Sequence, residues 1–313
     1  MIHPDIHLFL KDWETAWASL PAGAGPADRR AHFEVVAERM REPHPEGITT
    51  QEHWVDVPDL GSPVRVRVFR PETATEPVPA LIYMHGGAWM QGSPETHWDI
   101  TAGIAAANQQ MVISVDYALA PEEPYPRALQ QTVAVVHWAF GQAQTLGIRP
   151  DAIAIGGDSA GGNLAAAATL ILRGTSHAPR AQLLVYPAVD FTLDRPSHRE
   201  NANGPVINVA SMPTVNAMYC PDLSLHNSPG VSPLRAETHA GLPPAFIAVA
   251  EHDPLRDEGL AYAQLLLDAG VPVQLDTGQG LIHGYLRAKM YCADAQARFD
   301  AMGRWLKSTN SNS

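Results

Sequence analysis

Basic residues are scarce: 21 Lys and Arg stand against 33 Asp and Glu, for a formal net charge of −12. A chain of that sign repels nucleic acid and anionic membrane surfaces, so neither is expected as a partner. Cysteine is nearly absent. Cys220 and Cys292 are the only two, and neither stands in a C-x-x-C or Cys/His metal spacing. They read as reduced thiols of a cytoplasmic protein; a disulfide would require export. Aromatics make up 7% of the chain. No segment reaches the ~18 apolar residues of a membrane span. The first twenty residues, MIHPDIHLFLKDWETAWASL, lack a basic start, a sustained apolar stretch and a small-residue cleavage site, so they do not read as a signal peptide. H-E-x-x-H and G-x-x-x-x-G-K-[ST] are also missing, which removes the common zinc-protease and P-loop readings. No metal is expected.

What is present is 313 residues, 45% hydrophobic and rich in Ala, Gly and Pro. That is enough for one large core or two small ones. There is no repeat and no low-complexity linker. HWVDV (53–57) and VRVRVF (64–69) alternate with period two around the turn GSP (61–63) and predict a hairpin. Continuous apolar runs follow at 80–84, 111–115, 152–156, 181–186, 244–250 and 271–276. Runs without alternation predict strands buried on both faces. Helical patterns separate most of them, near 96–108, 126–146, 159–173, 257–269 and 293–307. The sum is an α/β fold with a mostly parallel sheet of about eight strands flanked by helices.

Two regions break that rhythm. Residues 1–50 are helical in pattern but interrupted by PAGAGP (21–26) and EPHPEG (42–47). Residues 190–235 are rich in Asn, Pro and Ser, with a short helix predicted near 209–219. Both read as segments of a helical cap, the second inserted into a main domain of residues 51–308. Residues 309–313 read as a polar tail.

Gly157-Asp158-Ser159-Ala160-Gly161 lies between a predicted strand and a predicted helix. The bland reading is a tight turn; the sharp one is a nucleophile elbow. A serine hydroxyl needs a base, and the base needs a carboxylate. After the strand at 244–250 comes EHDPLRDEG (251–259), and after 271–276 comes TGQGLIHGY (277–285). Asp253 and His283 occupy the places that the order Ser, acid, His demands, with Glu251 and Asp257 as rivals for the acid. His85-Gly86-Gly87-Ala88-Trp89 follows the strand at 80–84. Its glycines would let the N–H groups of residues 86–88, with that of Ala160, face an oxyanion. Trp89 and Asp158, which flank these motifs, are counted with a substrate pocket. Phe9, Trp13 and Trp17 form either a cap helix's apolar face or a pocket wall; Met212, Val215 and Tyr219 pose the same question.

These stretches resemble the hormone-sensitive-lipase-like esterases, family IV of the α/β hydrolases. The matching segments are HGGAWMQGSPETH (85–97), SVDYALAPEEPYP (114–126), GGDSAGGNLAAA (156–167), YP (186–187), DPLRDEG (253–259) and HGY (283–285). The resemblance implies an α/β-hydrolase fold, an N-terminal helical cap, carboxylesterase activity on a small-molecule ester and no cofactor. It also implies oxyanion donors at Gly87, Ala88 and Ala160, loop-holding roles for His85 and Asp116, and a homodimer. Ala88 stands where the family has a third glycine, Ala118 where it has an arginine, and Tyr285 where it has a phenylalanine. Tyr285 thus adds a hydroxyl near the base and joins the pocket candidates. Amidase or formamidase chemistry with the same residues is the alternative function, and a non-catalytic binding protein is a third reading.

Overall fold

Strands arise where the apolar runs are. In the computed structural model, which describes residues 1–57 and 60–310, these are β1 (Ile48–Val55), β2 (Val64–Pro71), β3 (Val78–Met84), β4 (Met111–Val115), β5 (Ile148–Asp158), β6 (Gln182–Val185), β7 (Ala245–His252) and β8 (Val273–Ile282). They form one sheet in the order β1-β2-β4-β3-β5-β6-β7-β8. The β1–β2 and β2–β4 pairs are antiparallel, and every later pair is parallel. Leu81, Ile82, Tyr83 and Met84 of β3 are sealed from solvent on both faces, as an apolar run without alternation requires.

Helices supply the two covers. On one face lie α3 (Trp98–Asn108), α10 (Ala293–Asn310) and α1 (Pro4–Trp17), whose apolar residues cluster with Leu81 and Tyr83. On the other lie α4 (Arg127–Gly141), α6 (Ala160–Leu172) and α9 (Arg256–Asp268), clustered with Ile82. The α1 helix is well specified. His3 Nδ1 accepts from the Asp5 N–H at 3.2 Å, Pro4 opens the first turn, and Ile6, Phe9 and Leu10 are buried. Burying each of those three side chains contributes about 1.5–3 kcal/mol as an upper figure. The remaining helices are α2 (Pro26–Met40), α5 (Ala143–Leu146), α7 (Pro196–Glu200) and α8 (Met212–Tyr219).

Several expected boundaries move. The hairpin's first strand begins at Ile48, inside the segment read as helical. After the buried Ile48 its start, Thr-Thr-Gln-Glu, is polar because β1 is an edge strand with half of its side chains exposed. The helix expected over 126–146 is two, α4 and α5, divided at Gln142, and Gly147 closes the second with φ +64°. The last strand extends to Ile282, through a stretch read as loop, so His283 leaves it directly. The α10 helix runs to Asn310, into the expected tail, whose last three residues lie outside the described ones. Cys220 and Cys292 are buried free thiols. Among the described residues, no helix is long and apolar enough to cross a membrane.

Candidate active site

The carboxyl ends of β3, β5, β7 and β8 converge on one place. At the end of β5 the chain turns so sharply into α6 that Ser159 takes φ +55°. A Cβ on Gly157 or Gly161 would overlap the Met84 carbonyl of β3, which is why both positions are glycine. The turn lifts the Ser159 hydroxyl off the sheet and sets it at the amino end of α6, where partial positive charge gathers.

His283 comes from the end of β8. Its Nε2 lies 2.9 Å from Ser159 Oγ and its Nδ1 lies 2.8 Å from Asp253 Oδ2. Asp253, fully buried after β7, accepts the Leu255 N–H at its other oxygen, 2.8 Å away. Of the rival acids, Glu251 accepts the Gly280 N–H at 2.7 Å, and Asp257 accepts the Ser197 N–H at 2.8 Å and pairs with Arg256. Both are committed to structural bonds. The Tyr186 ring packs 4.6 Å from the imidazole.

The glycine loop faces the serine. The Gly87, Ala88 and Ala160 N–H groups have no acceptor among the described residues. Gly86 does not join them, contrary to expectation: its N–H donates to Asp158 Oδ1 at 3.0 Å. Gly87 has φ +134°, and a Cβ there would overlap the Gln91 carbonyl. Ala88 and Trp89 adopt φ +55° and +56°, a conformation disfavoured for residues with a Cβ.

Asp158 is a strut behind this loop. It takes the Tyr83 O–H at 2.8 Å as well as the Gly86 N–H. Burial works against its charge, but His97, Arg287 and the Tyr83 hydroxyl outweigh it and hold the carboxyl below the usual range. His85 stacks on Tyr117 at 4.2 Å, with Nδ1 2.9 Å from the Gly86 carbonyl. Burial, then His97, lowers its pKa to about 3, so the ring stays neutral. Asp116 binds Arg65 at 2.8 Å. The loop of Ala118 is held from α2, where Arg30 donates to the Met90 and Ala120 carbonyls at 2.7 Å each.

Two cavities meet at Ser159. The first is walled by Phe9, Trp13, Phe33, Tyr186 and Arg287, beside His283 and residues 86–88. The second is walled by Trp89, Phe191, Met212, Val215 and Leu255, beside Ala160. Val206 and Ile207 border both. Three expected pocket residues stand behind the walls. Trp17 packs on Trp13 and Phe33, with ring centres 5.7 Å from each. Tyr219 stacks under Trp89 at 4.4 Å. Tyr285 is buried against Tyr186 at 5.3 Å. Phe33 and Arg287 carry no motif and were not among the sequence candidates. The only pointer to Phe33 is its inward place on α2; Arg287 is signalled by nothing beyond its closeness to the His-Gly-Tyr turn.

Residues 81–287 match the alpha/beta hydrolase fold family. An esterase of Mycobacterium tuberculosis, LipI, is 38% identical over 260 residues, covering 81% of each chain. The ethyl acetate hydrolase of Pseudomonas putida is 32% identical over 301 residues, covering 91% of this chain and 92% of its own. Among solved structures, an ester-hydrolase from the metagenome of Lake Arreo, complexed with a bipyridine phosphonate derivative, superimposes with a TM-score of 0.92 at 30% identity over all of both chains. On this fold, this site geometry and these likenesses, the chain belongs to the α/β-hydrolase fold family, in its hormone-sensitive-lipase-like branch.

Proposed function

We propose that the protein is a serine carboxylesterase for short- to medium-chain acyl esters. One observation carries the reading: Ser159 Oγ, His283 and Asp253 form an unbroken hydrogen-bonded line, of 2.9 and 2.8 Å, where two cavities meet. Ser159 attacks the ester carbonyl as His283 takes its proton, and Asp253 fixes the imidazole and balances its developing charge. The Gly87, Ala88 and Ala160 N–H groups receive the oxyanion. His283 returns the proton to the departing alcohol, and water activated by His283 releases the acid.

The two irregular segments act as the cap. Residues 1–50 supply Phe9, Trp13 and Phe33, and residues 190–235 supply Phe191, Met212 and Val215. Both close the site to bulky lipid surfaces. The ester names of the relatives support ester over amide. So does Tyr285, whose hydroxyl is buried behind Tyr186 and cannot assist an amine leaving group. A homodimer through the open β8 edge, where Leu275 is exposed, and a cytoplasmic location complete the proposal. Sedimentation and cell fractionation test these two.

Initial rates on 4-nitrophenyl esters from acetate to laurate, with 4-nitroacetanilide as the amide, test the main reading. The expected profile peaks at short or medium chains, shifts toward acetate in Met212→Trp, and shows far slower amide cleavage. Amide cleavage as fast as ester cleavage, or rates still rising at laurate, would overturn it.

A further inference from the structure

Arg287 faces the same space as Ser159 and His283. Neutral acceptors hold its guanidinium: Nη1 donates to the Thr96 carbonyl at 2.8 Å and Nη2 to His97 Nε2 at 2.9 Å. His97 is buried, and burial followed by the Arg287 charge lowers its pKa, so the ring can accept. The Phe33 ring lies 4.9 Å and the Trp13 ring 6.0 Å from the guanidinium carbon. No carboxylate pairs with Arg287 among the described residues, and its Nε–H has no partner there. Arg30, Arg65, Arg195 and Arg256 each grip a carboxylate, whereas Arg41, Arg70 and Arg173, like Arg287, donate to backbone carbonyls. Of these last four, only Arg287 lines the cavity that holds Ser159 and His283. Asp158, whose charge Arg287 feels, is occupied by Tyr83 and Gly86, and its Oδ1 lies 3.5 Å from His97 Nε2, so its carboxylate meets Arg287 through the imidazole and not by direct contact.

A cation on a cavity wall without a direct counter-ion is costly unless a ligand supplies one. The sign is also notable, because a chain of net charge −12 repels anions at long range. The position within the site says which part of a substrate would meet it. His283 must hand a proton to the departing alcohol, so the alcohol lies on the side of Ser159 that His283 occupies. That side is the first cavity, walled by His283 and Gly284; Ala160 and Leu255 wall the second.

We infer that Arg287 makes this enzyme selective for esters whose alcohol part is an aromatic ring bearing a carboxylate. Phe9, Trp13 and Phe33 receive the ring, and the guanidinium receives the carboxylate in a charge-assisted pair. The inference rests on the serine-esterase reading above. Water is added across the acyl–oxygen bond, giving the acid and a hydroxybenzoate; Arg287 binds and transfers no proton.

The test compares kcat/KM for 3- and 4-acetoxybenzoate with that for the matching neutral acetoxybenzamides. It uses wild type, Arg287→Lys and Arg287→Leu, each also titrated with a fluorophosphonate. Wild type is expected to favour at least one carboxylate isomer over its amide by about tenfold or more, the worth of a hydrogen bond to a charged group. Arg287→Lys should keep part of that ratio, and Arg287→Leu should bring it below one. Added salt should shrink it in wild type. A wild-type ratio at or below one in an enzyme that labels normally overturns this inference alone, whether or not the variants fold. A ratio unchanged in Arg287→Leu overturns it too. A wild type that does not label overturns the esterase reading and this inference with it.

Discussion

The Gly86 N–H donates to Asp158 Oδ1 at 3.0 Å, joining the loop that faces the nucleophile to the residue just before the nucleophile. The oxyanion loop and the elbow are therefore tied directly to each other. Asp158→Ala would leave the Gly86 N–H and the Tyr83 hydroxyl buried without an acceptor, at a cost of about 1–3 kcal/mol for each orphaned group. The expected outcome is a clear fall in Tm with a larger proportional loss of kcat than rise in KM. Asp158→Asn keeps an acceptor and should lose less on both counts. Thermal melts with steady-state kinetics on the two variants check this.

Ser159 combines a reactive role with a backbone strain that only glycine avoids. At φ +55° a side chain costs about 1–2 kcal/mol. Ser159→Ala and Ser159→Gly should both lose at least ~10³ in kcat. The glycine variant should nevertheless be the more stable of the two, by about 1 kcal/mol. Denaturant melts of the two variants measure this; equal stability would mean that the elbow is not strained.

Glu258 gives the protein a pH dependence remote from the chemistry. Its Oε2 accepts the Val189 and Asp190 N–H groups at 2.9 and 3.0 Å, and Oε1 lies 3.2 Å from His198 Nε2. Burial raises its pKa from 4.5 to about 7 despite these partners. Between those values the native chain keeps a proton that the unfolded chain has lost. Its contribution is therefore full below 4.5 and lost as pH rises through about 7. His85 acts the other way, since its lowered pKa removes stability as pH falls from 6.5 toward 3. The two slopes overlap and blur in wild type. Glu258→Gln separates them: relative to wild type it should gain stability from pH 4.5 to 7, by at most about 3 kcal/mol, and no more above that. Urea melts across this range test it, and parallel profiles for the two proteins would show that Glu258 carries no raised pKa.

The parallel sheet was legible because Ala80–Met84 and Met111–Val115 are apolar without alternation, which few other structures tolerate. The order Ser159, Asp253, His283 is likewise a pattern in the chain. The bonds between them are not, and neither is the fate of a single N–H. Gly86 and Gly87 are equivalent as letters; only the fold shows that Asp158 takes one and leaves the other free. The second half of edge strand β1 was legible as His-Trp-Val, but its start at residue 48 was hidden by the polar, mostly exposed side chains of residues 49–52. Three aromatics at helical spacing on α1 point inward alike, but depth divides them: Phe9 and Trp13 reach the cavity and Trp17 stops behind Phe33. Arg287 acquires meaning only from Thr96, His97 and Phe33, which lie far from it in sequence.

The most direct test of the central claim is stoichiometric labelling with a fluorophosphonate, followed by peptide mass spectrometry. One phosphonyl group per chain, carried on Ser159, is expected, with esterase activity falling in proportion and no label on Ser159→Ala. Label on another residue, or full activity in a fully labelled protein, would contradict the assignment of Ser159 as the nucleophile.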